Sequence, residues 1–244
     1  NPGNLEDDLD EIKDADWVIE AVDERIGIKH KLYSQIDKVR SPDSIISSNT
    51  STIPLSILTQ EMTDTMKADF CITHFFNPVR FMRLLEIVET PTMNKDKMSG
   101  LRNFCKNELG KGIVNCNDTP GFIGNRIGVY AMQVAMYEAL ERGLPVEIAD
   151  ALFGRPLGIP KTGVFGLYDL IGIDLMKDVL ASFKKELQEN DPFNDVVQPH
   201  PLVEKLLEKG FNGNKGPGGF YQTTIVDDDE IVKAINTSDM SYYD

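Results

Sequence analysis

Apolar positions change their spacing along the chain, and the change divides it. Residues 16–22, Asp16-Trp17-Val18-Ile19-Glu20-Ala21-Val22, form a nearly continuous apolar run, the pattern of a strand buried on both faces of a parallel sheet. Between Arg25 and Arg40 the apolar residues Ile28, Leu32, Ile36 and Val39 recur at helical spacing, and Ser41-Pro42 stops the helix. A short strand over 44–51 runs into a polar turn and a short helix over 53–60. The run 70–73, Phe-Cys-Ile-Thr, predicts the next strand, broken by Asn77-Pro78, and 84–88 another. A helix over 95–109, the turn Gly110-Lys111-Gly112 and a strand over 113–116 complete the alternation. Such alternation is the α/β signature.

Beyond Asn117 the period is helical throughout. Thr119 is placed as an N-cap and Pro120 as the first helical residue of a helix running to Arg142, roughly 35 Å long, with Gly143 as its stop. Gly124, Gly128, Ala131, Ala135 and Ala139 form a small-residue stripe along it that permits close helix approach. Further helices are expected over 145–153, within 164–188 and over 201–209, with a loop over 154–163. The expected organisation is an α/β domain over 1–117, an all-α domain over 118–222 and an acidic tail over 223–244. The tail carries Asp227-Asp228-Asp229-Glu230 and is expected to be a mobile appendage with little to pack.

Composition narrows the function classes. With 25 Lys+Arg against 39 Asp+Glu the net charge is −14, which disfavours nucleic acid or an anionic membrane surface as partner. The three cysteines, Cys71, Cys105 and Cys116, have no metal-ligand spacing, so no metal is expected and a reducing, cytoplasmic setting fits.

Two ionisable residues stand out against this background. His74 ends a strand, where open α/β sheets carry their sites, and Glu86 lies inside an apolar strand, where a carboxylate must find a partner. A His whose second nitrogen is held by a carboxylate is fixed in one tautomer and made more basic, so it can accept the proton of an alcohol. Ser51 after a strand and Asn125 near the start of the long helix can donate hydrogen bonds to the reacting oxygen. Taken singly, each residue has a plainer reading: a core His, a turn Ser, a solvated helix Asn.

The segments Val18–Glu24, Ser48-Asn49-Thr50-Ser51, His74–Pro78, Asp118–Arg126 and Lys215–Tyr221, in this order, resemble the 3-hydroxyacyl-CoA dehydrogenases of fatty-acid β-oxidation. The resemblance spans 18–221. It implies a Rossmann-like sheet followed by a helical domain, with NAD as cofactor and an acyl-CoA as substrate. It implies His74 as base, Glu86 as its partner, Ser51 and Asn125 on the substrate oxygen, and NAD contacts from Glu24, Lys29, Ser51, Asn77 and Lys215. A homodimer through the helical domain is expected.

The departures also carry expectations. The chain has no Gly-x-Gly-x-x-Gly after a strand, so it is expected to be a partial Rossmann-like domain lacking its first βαβ unit and binding NAD weakly. The loop over 154–163 with Gly172-Ile173-Asp174 further resembles members fused to an enoyl-CoA hydratase domain. The alternatives are a non-catalytic acyl-CoA binder or structural dimer that keeps the fold, and a different Rossmann-type hydroxy-acid dehydrogenase, a class that usually places a Lys at this site.

Overall fold

The computed structural model describes residues 2–158, 161–198, 200–226 and 229–243. They form two compact units, Asn1–Asn125 and Arg126–Asp244.

The first unit is a five-stranded sheet in the order β1 (Trp17–Glu20), β2 (Ile45–Ser48), β3 (Phe70–Phe75), β4 (Leu84–Glu89), β5 (Gly112–Asn115). Neighbours run parallel except β3 and β4, which are antiparallel. The exception follows from chain length, because the short link over 76–83 has no room for the crossover helix that a parallel pair requires. Side-chain alternation puts Phe70, Ile72 and His74 on one face and Cys71 on the other. On the first face lie α1 (Ile26–Val39), α2 (Leu55–Leu58) and α3 (Asp64–Ala68), with Tyr33, Ile36, Leu58 and Met66 packed on Phe70, Ile72 and Val88. On the second, α4 (Lys95–Asn107) packs Met98, Leu101 and Cys105 on Leu85 and Ile87. Thr63 caps α3 by accepting from Met66 N, and Asn94 caps α4 by accepting from Asp96 N and Lys97 N. The expectation did not include α3, a single turn too short to show periodicity.

The long helix starts later than Thr119 and Pro120 suggested. Residues 120–123 form a turn in which Gly121 and Phe122 both have positive φ, 69° and 48°. A left-handed residue cannot continue into a helix, so α5 spans Gly124–Glu141.

In the second unit α6 (Val146–Leu152), α7 (Phe165–Ile171), α8 (Ile173–Glu186) and α9 (Pro201–Glu208) share a core that includes Met136, Phe165, Tyr168, Phe183, Leu206 and Phe220. Ala135 and Ala139 of the small-residue stripe are buried in it, while Gly128 and Ala131 are exposed.

The segment from Thr223 departs from the expected mobile tail. β6 (Tyr221–Val226), β7 (Asp229–Ile235) and β8 (Tyr242–Tyr243) form an antiparallel sheet, and Ala234 and Ile235 enter the core, with Ile235 N donating to Phe220 O at 2.9 Å. The acidic run hid this anchor. Of that run, Asp227 and Asp228 lie outside the described residues, as do Ile159 and Pro160 of the 154–163 loop.

Two buried carboxylates brace this unit. Asp150 accepts from Val164, Phe165 and Gly166 N–H at 2.6, 2.7 and 2.9 Å, closing the start of α7. Asp169 accepts from Phe220 N and Tyr221 N at 2.9 and 2.7 Å, and Tyr221 OH donates to Asp150 at 2.8 Å. Burial pushes the Asp169 carboxyl up to about 6, against the opposing pull of its two N–H donors. The folded state thus holds this proton more tightly than the unfolded chain, whose Asp titrates near ~4. Stability from this group is therefore full below pH ~4, is lost as pH rises to about 6, and is level above that. The stability of wild type relative to Asp169→Asn, from urea unfolding, should fall by about 2 kcal/mol between pH 4 and pH 7. A difference that does not change with pH would refute the assignment.

Candidate active site

The antiparallel register sets His74 directly opposite Glu86 on one face of the sheet. The consequence is a buried bond: His74 Nδ1 lies 2.7 Å from Glu86 Oε2, with His74 4% and Glu86 0% exposed. The other oxygen, Oε1, accepts from Ile123 N at 2.9 Å and Gly124 N at 2.7 Å, at the positive end of α5, and from the Cys116 thiol at 3.6 Å. Burial pushes the Glu86 carboxyl up, but the hydrogen bonds from His74 and from the Gly124 and Ile123 N–H groups outweigh it and hold it below the ordinary carboxylate range. Glu86 is therefore an anion at neutral pH, and Nδ1 must be the donor. The tautomer follows: neutral His74 keeps its lone pair on Nε2, which forms no hydrogen bond among the described residues. Burial and the neighbouring Glu86 push the Cys116 thiol up to about 12, so it faces the carboxylate as a protonated donor. Phe76 and Phe122 wall the imidazole, with ring centroids 4.5 and 5.8 Å from its own.

Ser51 and Asn125 come together beside this pair. Asn125 Nδ2 lies 3.5 Å from Ser51 O, while Asn125 follows directly on Gly124, whose N–H holds Glu86. The Ser51 hydroxyl makes no hydrogen bond among the described residues and is free to donate. Asn77, exposed after β3, likewise has an uncommitted side chain.

Glu24 and Lys29 occupy a second polar cluster in the same unit. Lys29 is 1% exposed, and its ammonium meets Glu20 Oε1 at 2.7 Å, Glu24 Oε2 at 3.1 Å and Val22 O at 3.4 Å. All three of its N–H donors are thus taken by the chain itself. Glu20 also accepts from Tyr33 OH and Ser48 Oγ, each at 2.6 Å, and from Val22 N at 2.7 Å. The sequence reading passed over Glu20 although the signal that marked Glu86, a carboxylate inside an apolar strand, was there too. Glu24 accepts from the Thr50 hydroxyl and from Ser51 N at 2.9 Å. Burial raises its carboxyl, while Thr50, Lys29 and Ser51 together draw it below the ordinary range. Glu24 thus pins the turn that carries Ser51, and Lys29 pins Glu24.

Lys215 lies in the second unit, half exposed, with Nζ 3.8 Å from Asp174 Oδ1. The free hydroxyl of Ser51 and the free amide of Asn77 fit the carboxamide and ribose groups of a nicotinamide nucleotide, which need neutral donors and acceptors. Lys29, whose donors are taken, fits a supporting role through Glu24.

A mixed α/β sheet that carries a buried, carboxylate-held imidazole at a strand end is an arrangement suited to acid–base chemistry. Comparison with known proteins gives the family. Residues 1–119 match the model of the 3-hydroxyacyl-CoA dehydrogenase NAD binding domain, and residues 121–223 that of the 3-hydroxyacyl-CoA dehydrogenase C-terminal domain. The chain is 30% identical to the crystal structure of M. tuberculosis FadB2, with a TM-score of 0.78, over 89% of this chain and 74% of that one. It is 43% identical to a putative fatty acid oxidation complex trifunctional enzyme of Rickettsia felis, over 98% of this chain and 33% of that protein. A probable 3-hydroxyacyl-CoA dehydrogenase of Bacillus subtilis is 38% identical over 91% of this chain and 28% of its own length. The chain belongs to the 3-hydroxyacyl-CoA dehydrogenase family, and it spans about a third of these two curated relatives. Among the described residues no helix is long and apolar enough to cross a membrane.

Proposed function

We propose that this protein oxidises the 3-hydroxyl of a 3-hydroxyacyl-CoA to the ketone, with NAD as hydride acceptor. The observation that carries the reading is the buried His74–Glu86 pair, with Nδ1 committed and Nε2 free. His74 Nε2 takes the hydroxyl proton as the C3–H bond breaks. Glu86 steadies the imidazolium that forms, and its own charge is spread over the two N–H groups at the start of α5. Ser51 and Asn125 donate to the oxygen as it becomes a carbonyl. Bound NAD supplies the hydride acceptor, and Ser51 and Asn77 are the side chains assigned to hold it, with Glu24 placed by Lys29. The test is absorbance at the reduced nicotinamide band with 3-hydroxyacyl-CoA thioesters of several lengths. No substrate-dependent reduction at saturating NAD, by protein that is folded by circular dichroism, rejects the reading.

The partner assigned to the helical unit is a second copy of the chain. α5 exposes Ile127 and Tyr130 beside the small residues Gly128 and Ala131, and Leu152 and Leu170 are each more than half exposed. Apolar surface of this kind is covered in stable assemblies. Sedimentation equilibrium at micromolar concentration should return a dimer. A monomer throughout removes this assignment.

A further inference from the structure

The turn before α5 has a feature that acid–base chemistry alone does not require. Phe122 is an L-residue with a bulky side chain at φ 48°, directly after Gly121 at φ 69°, and it is 2% exposed. Glycine reaches this region freely, whereas a phenylalanine there is strained and persists only where its surroundings hold it. Those surroundings are specific. The ring belongs to the core cluster with Phe70, Ile72 and Val88, and its centroid lies 5.8 Å from that of His74. The backbone consequence is equally specific, because the next two N–H groups, of Ile123 and Gly124, converge on one atom, Glu86 Oε1, at 2.9 and 2.7 Å. Successive N–H groups aimed at one point make an anion-binding concavity. Here the anion is the protein's own carboxylate.

We propose that Phe122 is a positioning residue for the acid–base pair: its buried ring holds the left-handed turn that presents two N–H groups to Glu86, and so sets how strongly Glu86 holds His74. The proposal rests on His74 being the base. The groups facing Glu86 are His74 from β3 and Cys116 after β5, both titratable, and the turn contributes only backbone N–H groups. Loosening the turn withdraws N–H donors from Oε1. More negative charge is then left for Nδ1–H, which favours the imidazolium and moves the His74 titration to higher pH.

Nuclear magnetic resonance titration of the purified protein reads this without turnover. The chain has three histidines, His30, His74 and His200, and a His74→Asn sample assigns the signal. In Phe122→Leu, which keeps apolar bulk in the core, and in Phe122→Ala, which removes the ring and keeps the left-handed strain, the His74 midpoint should rise by about half a pH unit or more. With 3-hydroxyacyl-CoA, kcat should fall about tenfold with KM little changed, as for a displaced catalytic group. In the wild type, the amide shifts of Ile123 and Gly124 should follow the low-pH titration of Glu86. This arm needs no variant to fold. Wild-type amides that ignore that titration, or folded variants with an unmoved His74 midpoint, overturn the proposal. An inactive wild type that still shows both effects overturns the dehydrogenase reading and leaves the role of Phe122 standing.

Discussion

Glu86→Gln should lower kcat for 3-hydroxyacyl-CoA oxidation by about a hundredfold or more and leave KM nearly unchanged. The substitution preserves shape, so the loss comes from where the new amide must point. In the wild type one oxygen accepts from His74 Nδ1 and the other from the N–H groups of Ile123 and Gly124. A glutamine has only one oxygen for these three donors. If the oxygen faces His74, the new NH2 group confronts two buried N–H donors and leaves them unpaired. If it faces the N–H pair, the NH2 group donates to Nδ1 and drives the imidazole into the tautomer protonated on Nε2, which cannot accept a proton from substrate. Both orientations also remove the charge that steadies the imidazolium. KM is spared because the carboxylate is fully buried and reaches substrate only through His74. Steady-state kinetics on a variant with wild-type circular dichroism decides it, and a kcat within about threefold of wild type would falsify the pairing.

The His74–Glu86 pair was legible because it depends on local patterns. An apolar run with one carboxylate and a strand ending in His are visible in a few residues, and the two-residue period of strands then fixes which face each occupies. The turn at 120–123 was not legible. Thr119 and Pro120 carry a helix-start signal of ordinary strength, and what overrides it is tertiary: the Phe122 ring is buried against the sheet, and Glu86, more than thirty residues upstream, accepts from the N–H groups of Ile123 and Gly124 that the left-handed turn presents. The sheet over 221–243 was hidden in a similar way. Its acidic residues dominate the composition, whereas its hold on the core comes from Ala234 and Ile235, two residues whose burial depends on Phe220 being in place. Lys29 shows the same limit from the other side. In one dimension it is a cation near a strand end, and only the fold reveals that three acceptors surround it.

Lys29→Met should destabilise the first unit by about 3–5 kcal/mol, a far larger effect than an ordinary surface lysine would give. Lys29 and Glu20 are both essentially buried, so removing the ammonium leaves a carboxylate without a countercharge, although Tyr33, Ser48 and Val22 still donate to it. Taking away the charge on both sides should be milder, because the pair's desolvation cost disappears with its attraction. The double variant Lys29→Met/Glu20→Gln should therefore recover about half of the loss or more. The cycle separates two roles for this residue. A lysine whose work is to touch a nicotinamide nucleotide directly would, when replaced, weaken cofactor binding and leave urea unfolding near wild type. A lysine that holds Glu20 and Glu24 shifts unfolding first, and its effect on the cofactor follows from release of Glu24 and the Ser51 turn that Glu24 secures. Urea unfolding of the wild type, both single variants and the double variant, without nucleotide, measures the coupling. A Lys29→Met loss below about 1 kcal/mol, or a double variant no more stable than that single one, would show that the buried pair is not what holds this corner of the sheet.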